Sequence, residues 1–232
     1  MKAGSGINEL QIAEPGLAIL ATGKIEINES LLLTYGQGEE EIIYPKENEK
    51  PVTGFDNILV AILCEEGFEE VELTNPKKAL EDAGVHVEII SPHKGNIRSW
   101  DHINWGKEVR VDKDLHEADP AKYDALILPG GVMNPDKLRQ SKEAVLFLQQ
   151  FISSGKPVAA ICHGAQTLIE TGMIAGKTMT SYPSLKTDLR NAGVNWVDKE
   201  MVHDGQFITS RRPADLSAFT NELIFALPMH GR

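Results

Sequence analysis

Lys156-Pro-Val-Ala-Ala-Ile-Cys-His-Gly-Ala-Gln-Thr-Leu-Ile-Glu170 decides the fold. Val158 to Ile161 has the length and composition of a buried strand. It stops at Cys162-His163-Gly164, and a helical pattern with Leu168 and Ile169 facing inward follows. A strand that breaks sharply into a helix has the geometry of a nucleophile elbow. The residue at the bend is held in a strained backbone conformation, and its neighbours two positions away must be small; here they are Ala160 and Gly164. The side chain at the bend is a cysteine, the most nucleophilic of the common side chains near neutral pH. Free N–H groups and the positive end of the following helix favour thiolate over thiol. The pattern therefore predicts a Cys162 pKa below the ordinary ~8.5. The competing reading of Cys162 is a small apolar core residue. The small-x-Cys-x-Gly pattern at a strand-to-helix junction favours the reactive thiol.

Outward from this stretch, Asn57 to Leu63 is almost purely apolar, as in a sheet covered on both faces. Glu65 to Leu73 leads into a helix running to about Asp82, with Pro76 as a kink or a regular start and Gly84 as its end. His86 to Ile90 is a second strand, and strand–helix–strand is the signature of a parallel α/β sheet. Tyr123 to Leu128 is another buried strand, ending in Pro129-Gly130-Gly131, with helical stretches from Pro135 to Arg139 and from Glu143 to Ser154. Glu108 to Asp112 alternates and predicts a half-exposed strand in a hairpin with part of 97–105. Asn195–His203 and Gln206–Ser210 flank Asp204-Gly205 as a β-hairpin, and Pro213 to Leu227 is a closing helix.

Residues 1–55 differ: nine acidic and four basic residues place −5 of the net charge of −11 there. Short strand-like runs at 17–20, 24–27 and 31–35 are punctuated by glycines and Pro15. This part reads as an N-terminal extension of unknown role, an arm or a lid. Residues 56–228 read as one α/β domain.

A hydrophobic content of 41% fills a sizeable core, and the acidic balance argues against nucleic acid or an anionic membrane as a standing partner. Two cysteines make no disulfide framework. With no signal-peptide pattern and no apolar run near the ~20 residues that span a bilayer, a soluble cytoplasmic protein is expected. The histidines show no metal spacing, and there is no phosphate loop or dinucleotide fingerprint. Neither metal nor cofactor is expected.

Strand carboxyl ends in an open parallel sheet face the ligand crevice. Cys162 sits on one. The N–H groups of Gly131 and His163 can form an oxyanion hole beside it. The first strand leads into Gly67-Phe68-Glu69-Glu70, where an acid can reach the sulfur. Held protonated in an apolar crevice, Glu69 would hydrogen-bond the thiolate and act as general acid or base. Its other reading is a first-turn helix carboxylate favoured by the dipole.

Cys64–Leu73 (CEEGFEEVEL), Leu128–Gly131 (LPGG), Gly155–Gln166 (GKPVAAICHGAQ), Thr180–Pro183 (TSYP), Asn191–Val197 (NAGVNWV) and Thr209–Leu216 (TSRRPADL) together resemble the PfpI family of the ThiJ/PfpI superfamily. The resemblance runs from about residue 57 to 227 and leaves out residues 1–50. It implies a flavodoxin-like three-layer sandwich with a mostly parallel central sheet. It also implies Cys162 as nucleophile, His163 as its partner and Glu69 as the acid contacting the sulfur. In the family's peptidase model an acid from a second subunit orients the histidine. The matching position is Asp136, where the family often carries the longer glutamate. A shared site implies a homo-oligomer, a dimer or higher.

Family members are described as cysteine peptidases, as glutathione-independent glyoxalases and as protein deglycases. The expected substrate is thus a small aldehyde, a glycated protein or a peptide. A thiolate attacking an aldehyde needs only a small pocket and a nearby acid. A histidine next in sequence to the nucleophile usually points away from it. Reactive-carbonyl chemistry in stress protection is therefore the favoured expectation, with intracellular peptidase activity as alternative and a redox sensor or holdase as the non-enzymatic one. Glutamine amidotransferases use a similar elbow but need a distant His-x-Glu pair, which His203-Asp204-Gly205 does not supply.

Overall fold

The four apolar runs become the middle of one sheet. The computed structural model describes residues 55–228, so the strand-like runs expected within residues 1–54 lie outside the described residues. In chain order the elements are β1 (Leu59–Leu63), α1 (Glu70–Asp82), β2 (His86–Ser91), β3 (Asn96–Asp101), β4 (Asn104–Arg110), β5 (Lys113–Asp114), β6 (Ala125–Leu128), α2 (Met133–Gln140), α3 (Lys142–Ser153), β7 (Val158–Ile161), α4 (Ala165–Ile169), β8 (Thr178–Met179), α5 (Lys186–Asn191), β9 (Asn195–Trp196), β10 (Met201–Asp204), β11 (Phe207–Ser210) and α6 (Leu216–Ala226). The main sheet has the order β10-β11-β7-β6-β1-β2-β5. All its pairings are parallel except β10 with β11, the hairpin closed at Gly205.

Successive residues of a strand point to opposite faces, and both faces here are apolar. Ala61 and Leu63 of β1, Leu126 and Leu128 of β6 and Val158 and Ala160 of β7 join one cluster with Leu138, Phe147, Leu148, Phe151, Leu168 and Leu189 of α2 to α5. Val60 and Ile62, Ala125 and Ile127, and Ala159 and Ile161 join the other with Leu73 and Leu80 of α1 and Phe219 and Leu223 of α6. Helices on both faces of a mostly parallel sheet make the flavodoxin-like three-layer sandwich. Each fully buried Leu or Phe contributes ~1.5–3 kcal/mol relative to exposure.

Local sequence explains where the elements stop. Gly84 and Val85 return their N–H groups to the Glu81 and Leu80 carbonyls, and Gly84 has φ 90°, which ends α1. Pro76 lies inside α1, not at its start. α2 and α3 are separate helices because Ser141 turns extended between them, and its Oγ accepts from Ala144 N at 3.2 Å. The helix after the elbow is also shorter than expected: a 3₁₀ turn, Cys162–Gly164, then the five residues of α4. The β3–β4 hairpin stands apart from the main sheet. It is tied to the loop after β1 by Gly67 N to Arg98 O and Trp100 N to Phe68 O, at 2.8 and 2.7 Å. Glu70 anchors it further, accepting from Ser99 Oγ at 2.8 Å and from Lys107 N at 2.9 Å.

Candidate active site

The chemistry converges where β1, β6 and β7 end. Cys162 has φ 59°, the left-handed conformation that a side chain rarely adopts. The bend is enforced by what surrounds it. A Cβ on Gly164 would lie 2.2 Å from Leu128 O, and one on Gly130 would lie 2.7 Å from the Cβ of Cys162. Gly131, at φ 76°, has room for no side chain either, since a Cβ would meet Gly67 O at 2.4 Å. The two glycines after Pro129 thus let the β6 loop close over the elbow.

The backbone N–H groups of His163 and Gly131, the two amides expected to form an oxyanion hole, face the Cys162 sulfur and oppose the rise of its pKa. The acid on the sulfur is Glu72, not Glu69. Glu72 is fully buried, its Oε2 accepts from Gly130 N at 2.8 Å, and its carboxyl lies beside Cys162, since a Cβ on Gly130 would meet Glu72 Oε2 at 2.5 Å and the Cys162 Cβ at 2.7 Å. The reason is helical phase. Glu72, Pro76 and Leu80 share the buried face of α1 at i, i+4 and i+8, so the acid points under the strand ends. Glu69 only precedes the first turn. Its carboxylate faces the β3–β4 turn, with Oε1 3.8 Å from His102 Nδ1, and burial raises its pKa. The sequence carries a signal for Glu72 that the reading of Glu69 passes over, namely an acid on the apolar stripe of α1.

Burial raises the Glu72 pKa to about 8 against the pull of the Gly130 N–H, so it carries a proton at neutrality. The Cys162 thiol is pushed up, first by burial and next by the charge of Glu72, while the His163 and Gly131 amides oppose this. That is opposite to the expected lowering, because α4 is too short for the dipole to dominate and the site is dry. The second cause vanishes whenever Glu72 is the protonated member. The two groups therefore titrate as a pair, the carboxyl giving up its proton before the thiol does.

His163 does not point away. Its Nδ1 lies 3.4 Å from Sγ, its Nε2 3.2 Å from Ser184 Oγ, and its ring stacks on Tyr182 at 4.6 Å between centroids. Burial lowers its pKa, so the ring is neutral. Asp136 is exposed on α2, where its carboxylate accepts from Gln140 Nε2 at 3.1 Å, and among the described residues no acid pairs with His163. Cys64, at the end of β1, is buried, and burial raises its pKa. Arg211 and Asp215 pair at 2.8 Å at the junction into α6.

Sequence reasoning also passed over Asn134, which is fully buried. Its Oδ1 accepts from Glu65 N at 2.7 Å, and its Nδ2 donates to Pro129 O and Gly130 O at 2.8 and 3.2 Å. Among the described residues, Glu69, Asp101 and His102 are the one group of three potential metal donors, within 4.8 Å of one another. His102 and Asp101 already pair at 2.9 Å.

Residues 59–226 match the model of the DJ-1/PfpI family. The chain is 43% identical over 165 residues to a protein of Pyrococcus horikoshii named deglycase PH1704, covering 71% of this chain and 96% of the relative. It is 42% identical over 163 residues to the putative cysteine protease YraA of Bacillus subtilis, covering 70% and 94%. Among solved structures, Drosophila melanogaster DJ-1beta superposes with a TM-score of 0.68 at 28% identity, over 75% of this chain and 92% of that one. No helix among the described residues is long and apolar enough to cross a membrane.

Proposed function

Because the chain belongs to the DJ-1/PfpI family, we propose that it is a cysteine enzyme that consumes reactive carbonyls, as a glutathione-independent glyoxalase or protein deglycase. The observation that carries this is a fully buried carboxyl group, Glu72, held by Gly130 N beside Cys162, and burial raises its pKa to about 8. The thiol passes its proton to His163 Nδ1, 3.4 Å away, as the sulfur adds to the aldehyde carbon, and His163 gives that proton back when the thiol is restored. The former carbonyl oxygen faces the Gly131 and His163 N–H groups and takes the proton of Glu72. With a 2-oxoaldehyde, Glu72, now a carboxylate, removes the hydrogen from that carbon and returns it to the neighbouring one, while the hydroxyl proton passes to the neighbouring carbonyl oxygen. The product is a thioester of a 2-hydroxy acid, and water releases the acid and restores the thiol. A protein amine already joined to the aldehyde leaves before the sulfur bond forms, so free and protein-bound aldehyde reach the same thioester.

The contact between Sγ and His163 Nδ1 favours peptidase activity as a second reading. Hydrolysis of a peptide needs an oriented base, and the acid that orients it would be Asp136 of a second copy in a homo-oligomer. Methylglyoxal loss without glutathione, followed for the full chain and for Cys162→Ala, tests the first reading. Turnover is expected only with the cysteine, and equal rates would remove it. Gelatin zymography on the same oligomer tests the second.

A further inference from the structure

The direction in which the Gly131 N–H points is not set by the elbow. Gly130 C=O and Gly131 N–H belong to one trans peptide unit, in which the two bonds point opposite ways. Holding the carbonyl on one side therefore presents the N–H to the other. Nothing intrinsic to two adjacent glycines selects this orientation, because glycine populates positive and negative φ about equally. Two donors hold the Gly130 carbonyl, Asn134 Nδ2 at 3.2 Å and Glu69 N at 3.3 Å. The same Asn134 amide holds Pro129 O, and its Oδ1 ties the loop to Glu65 N beyond β1. Three hydrogen bonds use its oxygen and both its N–H groups. A fully buried amide engaged this way has one orientation, since turning it over would face N–H to N–H and oxygen to oxygen.

We propose that Asn134 is a positioning residue: it clamps the Gly130 carbonyl so that the Gly131 N–H is presented to the reacting sulfur and to the oxyanion that forms beside it. Glu72 holds the Gly130 N–H from the other side at 2.8 Å, so acid and amide fix the same glycine. The inference rests on the reading of Cys162 as the reacting atom. It adds to the catalytic set a residue that touches neither sulfur nor substrate.

Asn134→Asp tests it. The aspartate keeps the acceptor for Glu65 N but has no N–H to give and faces two carbonyls. The rate of Cys162 alkylation by iodoacetamide is followed against pH in the full chain. The midpoint is expected to rise by about one pH unit, and kcat for methylglyoxal to fall ~10²-fold with KM changed less than about twofold, as when one of two donors to a developing charge is lost. Leu223→Ala, which opens a cavity under α6, is the control for lost stability. It is expected to lower the melting temperature without moving the alkylation midpoint. Equal midpoints in native protein and Asn134→Asp would overturn the proposal. The amide resonance of Gly131 in the native protein decides the matter should the variant not fold. It is expected to move downfield as the sulfur ionises, and an unresponsive amide overturns the proposal. A midpoint that shifts in a protein with no carbonyl turnover leaves the clamp standing and removes the proposed reaction instead.

Discussion

The floor and the lip of the crevice are built from the same stretch of chain in opposite ways. On the floor, Glu72, Asn134, Gly130 and Cys162 are all buried, and their partners are largely backbone groups at fixed positions. On the lip, three residues before Glu72, Glu69 faces His102 and Asp101, whose side chains are 75% and 56% exposed. Water screens the lip charges and weakens each pairing, whereas a polar group on the floor has no alternative partner. The difference teaches that two nearby carboxyls of one type can serve unrelated ends, and that burial with a backbone donor marks the one able to act on the sulfur.

The sharpest break of this comparison is a pair of isosteric changes. Glu72→Gln is expected to lower kcat for methylglyoxal by ~10²–10⁴-fold, the range for a lost general acid. Glu69→Gln should leave kcat within about threefold. Equal losses in steady-state assays of the two variants would erase the distinction between floor and lip.

Gly131→Ala tests the floor by volume. Positive φ together with a Cβ 2.4 Å from Gly67 O should cost ~2–4 kcal/mol in urea unfolding. A cost under about 1 kcal/mol would mean that the loop relaxes freely.

The buried acid gives a pH signature. The Glu72 pKa is raised on folding, so between the ordinary carboxylate value and about 8 the native state binds more protons than the unfolded chain. Stability should therefore fall as pH rises through that window, by at most ~1.4 kcal/mol per unit, and level off above it. Glu72→Gln should flatten the fall, as read from urea midpoints at pH 5 to 8. A decline that persists in the variant would assign it to other groups.

The smallest effect belongs to the lip. His102→Ala is expected to change unfolding free energy by less than about 0.5 kcal/mol, because its partners are exposed, and to leave the alkylation profile of Cys162 in place.

Much of this was legible in the sequence. The elbow, the paired glycines, the alternation of strands with helices and the turn at Gly205 follow from short apolar runs cut by residues with special backbone freedom, which are local properties. The choice between Glu69 and Glu72 required the helical phase of α1, which the apolar row through Pro76 and Leu80 carries once the helix is known to begin at Glu70. Asn134 was not legible, since its partners, Glu65 and Gly130, come from the ends of two strands that meet only in the folded sheet. The elevation of the Cys162 pKa was hidden for the same reason. Dryness is a property of the packed layers, while the opposing amides are local.

The positive φ of Cys162 has one more implication. That conformation disfavours any residue with a Cβ by ~1–2 kcal/mol relative to glycine. A chain selected only to stay folded would drift toward glycine at this position and lose its sulfur. Cysteine stands there against that backbone cost, and ranking variants by heat resistance alone would discard its sulfur.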